Sequence, residues 1–87
     1  MLRDIADRVA HDWCASRFRR SGWFTEFEQA VARNTILDCL YSAPEDNFIE
    51  KATADPLIRD PARAVIKNMA PDLVDLAGRV LREAQHA

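Results

Sequence analysis

The chain has 87 residues, of which 48% are hydrophobic and 30% are charged, which is enough apolar material for the core of one small domain. Its 12 basic and 14 acidic side chains give a net charge of −2, so a broad basic field for nucleic acid or anionic lipid is excluded and only a local basic site remains. Cys14 and Cys39 form no CxxC pair and no disulfide framework, which predicts a reducing, cytoplasmic compartment. No apolar run exceeds a few residues, so we expect neither a signal peptide nor a transmembrane span, and no membrane among its partners.

The first segment, residues 2–16, predicts an amphipathic helix. When its residues are placed at about 100° per position, the apolar side chains fall on one stripe and the charged ones fall elsewhere. The Ser21–Gly22 pair predicts a break, because glycine suits the left-handed position that follows a helix. Because Phe18 lies opposite the apolar stripe, we expect this helix to end or bend near residues 17–20, or Phe18 to contact another part of the molecule. The stripe consists of Leu2, Ile5, Ala6, Val9 and Trp13.

The second segment opens on a capping box, in which Thr25 is followed three residues later by Glu28. The predicted helix continues to about Tyr41 and has two apolar sides. A helix of this kind is central in its domain or is covered by a second chain, so a homodimer is possible through its second side. The first side holds Phe27, Ala30, Val31, Leu37 and Tyr41. The second side, the predicted self-association face, holds Ala32, Ile36, Cys39 and Leu40.

Three further helix starts follow in the second half of the chain. Ser42 can cap a further helix, with Pro44 in its first turn and Glu45 reaching back to the cap. This pattern predicts a short helix that carries Phe48, Ile49 and Ala52. Asp55–Pro56 and Asp60–Pro61 are two successive pairs of a cap residue and a proline. They predict one tight turn of helix at residues 56–59 and a new helix from Pro61.

Pro71 interrupts the last helical segment, because its ring clashes with the preceding turn and its nitrogen cannot donate. Val65, Ile66 and Met69 line the helix before it, and an apolar stripe continues nearly in phase after it: Leu73, Ala77, Val80, Leu81 and Ala84. We therefore predict an all-α, single domain over residues 1–87. Its architecture is a compact four- or five-helix bundle or orthogonal array, with the last helix kinked or split at Pro71.

The most distinctive local feature is an acid-free cluster of arginines and aromatic residues between positions 17 and 24. Its simplest interpretation is structural, with cations at a helix C-terminus and aromatic rings entering the core. Arginine and tryptophan are also typical of binding hot spots on protein surfaces, and arginine forks bind phosphates and stack on bases. The candidate partner-binding residues are Arg17, Arg19, Arg20, Trp23 and Phe24.

A helix-turn-helix over residues 10–40 is disfavoured, because Glu26 and Glu28 would meet phosphates at the start of the recognition helix. A metal site is also disfavoured. His11 and Cys14 have the spacing of paired ligands, but the other candidates are scattered, and His11 lies on the charged side of its helix. The two glycines are too far apart for a phosphate-binding loop. We expect no catalytic residue, no metal and no cofactor.

These observations support one leading hypothesis and one alternative. The leading hypothesis is a non-enzymatic helical adaptor, regulator or inhibitor that occupies the surface of a partner protein, a class common on phages and plasmids. The alternative is a nucleic-acid-binding helical protein that uses the cluster at residues 17–24. Salt dependence separates the two, since phosphate binding weakens steeply as salt rises.

Overall fold

In the computed structural model, the described residues are 1–17, 24–41 and 53–86, and they contain helices and turns but no strand. The helices are α1 (Leu2–Arg17), α2 (Glu26–Tyr41), α3 (Asp60–Met69) and α4 (Leu73–Gln85). The predicted all-helical class is confirmed for these residues. The predicted break at Gly22, the Ser42 cap and the short helix over Phe48, Ile49 and Ala52 lie outside the described residues.

The core lies where the inner faces of the four helices meet. The predicted stripe of α1 is confirmed, and it is wider than expected because Ala10 and Cys14 are also fully buried. Small residues here let the other helices pack closely against α1. The radius of gyration of 12.5 Å matches the ~12 Å expected for a folded domain of this length. The buried residues of α2, α3 and α4 are Ala32, Thr35, Ile36, Val65, Ile66, Met69, Leu73, Ala77 and Val80.

The predicted capping box at the start of α2 is confirmed in both directions. The backbone N–H of Glu28 donates to Thr25 Oγ1 (3.1 Å), and the backbone N–H of Thr25 donates to Glu28 Oε2 (3.0 Å). Inside the same helix, the buried hydroxyl of Thr35 donates to the Val31 carbonyl (2.7 Å). The Thr25 hydroxyl therefore satisfies a free N–H at the start of the helix. The Thr35 hydroxyl, which is buried, has the hydrogen-bond partner that a buried polar group needs.

The two Asp–Pro pairs act differently from one another. Asp55 closes a hydrogen-bonded turn, since its Oδ1 accepts from the Leu57 N–H (2.9 Å) and its carbonyl accepts from the Ile58 N–H (3.1 Å). The prediction that α3 starts at Pro61 with Asp60 as its cap is wrong by one residue. Arg59 is the N-cap, in an extended conformation, and Asp60 is the first helical residue. The Asp60 side chain instead accepts from Arg63 (2.8 Å).

The Arg63 side chain links the Asp55–Ile58 turn to α3 by hydrogen bonds. Its Nη2 donates to the carbonyls of Ile58 (2.9 Å) and Asp55 (3.3 Å), while its Nη1 binds Asp60. The Nε of the same guanidinium is buried and finds no acceptor among the described residues. The planar guanidinium carries donors on separate nitrogens, so it reaches two carbonyls and one carboxylate at the same time.

The predicted interruption at Pro71 is confirmed. The α-helix ends at Met69, a 3₁₀ turn covers Ala70–Asp72, and the α-helix resumes at Leu73. The N–H of Ala70 is shared between the carbonyls of Ile66 and Lys67, which compensates for the donor that proline lacks. If α3 and α4 are taken as one interrupted run, the described residues contain three long helices, fewer than the four or five predicted.

Candidate partner-binding surface

The end of the α1/α2 pair holds the described part of the predicted arginine and aromatic cluster. Arg17 is the last residue of α1 and is exposed, where a cation stabilises the helix dipole. Phe24 lies just before the Thr25 cap, half-buried against the core. Its ring meets the exposed His11 ring edge-to-face, with centroids 5.1 Å apart and planes at 74°, a favourable aromatic geometry. Arg19, Arg20 and Trp23 lie outside the described residues.

Phe27 adds a second aromatic ring at this end of the helix pair. It lies in the first turn of α2 and is 50% exposed, although the sequence placed it on an apolar side that we expected to be covered. Phe27 and the fully buried Ile36 are nine residues apart, which places them on opposite sides of a helix. The sequence shows this opposition, but it does not show which of the two residues is exposed, because that depends on which side of α2 the other helices cover. We name His11, Arg17, Phe24 and Phe27 the α1–α2 corner.

The predicted self-association face needs a correction at two of its four residues. Ala32 and Ile36 are fully buried inside the chain, so they form part of its own core and offer no surface to a second chain. Cys39 and Leu40 are half-buried and pack against the same core. The sequence left open whether a second chain or the chain's own helices cover this side of α2. For Ala32 and Ile36 the chain's own core does so, and α1, α3 and α4 all contact α2.

An open polar pocket of about 390 Å³ lies between α1 and the first turns of α2. Asp7 lines the pocket together with Gln29 and Arg33. Its Oδ1 accepts hydrogen bonds from Gln29 Nε2 (3.1 Å) and Arg33 Nη1 (3.4 Å). Glu26 and Ala30 complete the lining. Ala30 lines this pocket and lies one turn after Phe27 on the same side of α2. The pocket therefore borders the α1–α2 corner and adds hydrogen-bonding groups beside it, as the polar rim of a protein interface does.

The two members of the candidate His–Cys pair have different environments. His11 is exposed, with its Nδ1 3.8 Å from Asp12 Oδ1, whereas Cys14 is fully buried. Burial, and then the nearby negative charge of Glu28, raise the pKa of Cys14 from 9.0 to about 11. Its thiol is therefore protonated at neutral pH, and a protonated, buried thiol is a poor metal ligand and a poor nucleophile. No group of three or more metal-ligating side chains was found in residues 1–17, 24–41 and 53–86.

Comparison with known proteins yields no relative from which a role could be transferred. No family model matches the sequence, and no curated protein and no solved structure is significantly similar to it. None of the helices in the described part of the chain is both long enough and apolar enough to cross a membrane.

Proposed function

We propose that this chain is a small non-enzymatic helical interaction protein, an adaptor, regulator or inhibitor that acts by occupying the surface of a partner protein. The observation that carries the proposal is the α1–α2 corner, where the exposed Arg17 ends α1 and two aromatic rings with accessible surface, Phe24 and Phe27, flank the start of α2. Arginine and aromatic side chains supply a large share of the binding energy in protein interfaces.

The corner is held in position by contacts that are present in the free chain. The reciprocal Thr25–Glu28 hydrogen bonds fix the start of α2 between Phe24 and Phe27, and the His11 ring supports the Phe24 ring. A surface that is already ordered loses less conformational entropy when it binds. Such preorganisation supports recognition by a rigid surface.

The chemistry of the corner defines the partner surface that fits it. Arg17 supplies a cation in the described region, and the sequence adds Arg19 and Arg20 two and three residues later. These cations match carboxylates, while the aromatic rings match an apolar pocket. We expect the partner to present an apolar pocket bordered by acidic side chains.

A capture experiment with matched variants tests this function. The tagged full chain is used to capture proteins from its native host, beside a double variant, Arg17→Glu with Phe27→Ser, and a control, Tyr41→Ser. Tyr41 is also an exposed aromatic residue (71%) but lies at the other end of α2. We expect a partner that the wild type and the control capture and that the folded double variant loses. Equal capture by all three chains would contradict the proposed surface.

Nucleic-acid binding through the same corner is a distinct outcome of this test. Labelled DNA and RNA are titrated with the wild-type chain at low and at moderate salt. Binding that weakens steeply with salt and is lost in the double variant would favour the nucleic-acid function. A captured protein that the double variant loses, together with no binding of DNA or RNA at low salt, favours the protein-partner function.

A further inference from the structure

The outer face of α4 presents apolar side chains that the described part of the chain does not cover. Val74 is 76% exposed and Leu81 is 46% exposed. They are seven residues apart and thus lie within about 20° of each other around a helix. Gly78 lies between them on the same side. We name Val74, Gly78 and Leu81 the α4 strip.

The α4 strip differs from the inner stripe that anchors α4 in the core. The sequence grouped Leu81 with Leu73, Ala77 and Val80, but the structure buries only the last three. Leu81 lies at the edge of that stripe and turns outward. The strip is therefore a second apolar surface of α4, separate from both the core and the α1–α2 corner.

A pair of charged residues follows one flank of the strip. Asp75 and Arg82 are both exposed and, like Val74 and Leu81, they are seven residues apart and so share a side of the helix. Neither forms an ion pair with another described residue. Arg82 reaches over the strip, since its Nη1 would lie 3.3 Å from a β-carbon added at Gly78.

We propose that the α4 strip binds a second copy of this chain, with the two α4 helices antiparallel around a two-fold axis. In such an interface each residue pair occurs twice. The register that places Val74 opposite Leu81 of the second copy also brings Asp75 close to Arg82 of the second copy, on the same flank. One antiparallel arrangement therefore provides both the apolar contacts and the opposite-charge pairs. Because the α4 strip and its flank are complementary to themselves, we identify the molecule that covers the strip as a second copy of this chain.

Gly78 lies near the crossing point of this arrangement. In this register the point midway between Val74 and Leu81 falls next to Gly78, and the absence of a side chain there lets the two backbones approach closely. The Arg82 guanidinium, which covers Gly78 in the single chain, moves onto Asp75 of the second copy. This dimer uses a surface distinct from the α1–α2 corner, so it goes beyond the proposed partner binding and does not depend on it.

The mass of the full chain in solution tests the dimer, measured by light scattering after size exclusion across a concentration series. We expect the wild type to approach twice its 9.9 kDa mass and Val74→Glu to remain a monomer. Leu57→Glu is the matched control, because Leu57 is 88% exposed in the turn before α3, and we expect it to dimerise as the wild type does. A monomeric wild type at high concentration, or a Val74→Glu chain that still dimerises, would overturn the proposal.

Charge reversal tests the antiparallel register itself. Asp75→Arg alone and Arg82→Asp alone each place like charges opposite one another in a homodimer, so we expect both variants to be monomers with the helical circular dichroism of the wild type. When the two variants are mixed, every pair becomes complementary, and we expect a heterodimer. Failure of the folded variants to associate on mixing would reject this register.

Discussion

Trp13 brings a polar atom to the edge of the core, and its Nε1 donates to Asp72 Oδ2 (3.2 Å). This bond joins α1 to the 3₁₀ turn that Pro71 creates. We expect Asp72→Ala to lower the free energy of unfolding by about 1 kcal/mol, the usual contribution of such a bond. Chemical denaturation measures the change. Asp38→Ala, at an exposed position of α2, should stay within about 0.5 kcal/mol of the wild type, and equal losses in both variants would show that the Trp13 bond contributes nothing.

Cys14 couples the stability of the fold to alkaline pH. Burial raises the pKa of its thiol from 9.0 to about 11 in the folded chain. Between these values the unfolded chain has lost the proton and the folded chain has kept it, so the free energy of unfolding falls as pH rises. A shift of this size corresponds to at most about 2.7 kcal/mol.

The variant Cys14→Ala isolates this contribution from other alkaline titrations. Denaturation of both chains is measured from neutral pH to pH about 11. We expect the stability of the wild type to fall more steeply than that of Cys14→Ala in the upper part of this range. Stability curves that stay parallel throughout would mean that the buried thiol has its ordinary pKa.

At the scale of the helix, the Thr25–Glu28 box governs the start of α2. We expect Thr25→Ala to destabilise the chain by about 1 kcal/mol, because the Glu28 N–H loses its acceptor. Thr25→Ser keeps an oxygen at the same place and should recover most of the loss. Thermal unfolding followed by circular dichroism compares the three chains. If the serine and alanine variants are equally stable, then the cap does not stabilise α2.

Features that depend on neighbouring residues were predictable at this scale. The Thr25 cap and the interruption at Pro71 were identified because each follows from hydrogen bonds within one turn. The start of α3 was placed one residue late, since Asp60 can either cap a helix or bind Arg63, and that choice depends on the Asp55–Ile58 turn. The outward orientation of Phe27 and Leu81 was missed, because periodicity defines apolar sides but not which side another helix covers.

At the scale of the whole molecule, charged side chains of α1 bind other helices. Within α1, Asp4 and Arg8 carry opposite charges four residues apart, a spacing that is typical of an ion pair inside one helix. In the structure Arg8 pairs with Glu83, and Asp12 pairs with Arg79 (3.2 Å). These partners are 75 and 67 residues apart in the chain, so a pattern read within one helix could not reveal them.

Glu83 is the centre of this network, because it contacts Arg8 on α1 and Arg79 on its own helix (3.6 Å). We expect Glu83→Lys to lower the free energy of unfolding by about 1 kcal/mol at low salt, since it replaces two attractions by two repulsions at a partly exposed site. A lysine in the last turn of a helix is otherwise slightly favourable, so the expected loss comes from the two arginines.

Salt and a neighbouring variant identify the origin of that loss. Added salt screens exposed charges, so the difference between Glu83→Lys and the wild type should shrink as salt rises. Gln85→Lys puts the same charge into the same turn but about 200° around the helix from Glu83, away from Arg8 and Arg79, and it should leave stability unchanged or slightly higher. A loss in Gln85→Lys as large as that in Glu83→Lys, or a loss that salt does not reduce, would mean that packing of α4 against α1 is affected rather than its charges. A salt-dependent loss in Glu83→Lys, together with no loss in Gln85→Lys, would show that ion pairs between residues distant in the chain help to join α4 to α1.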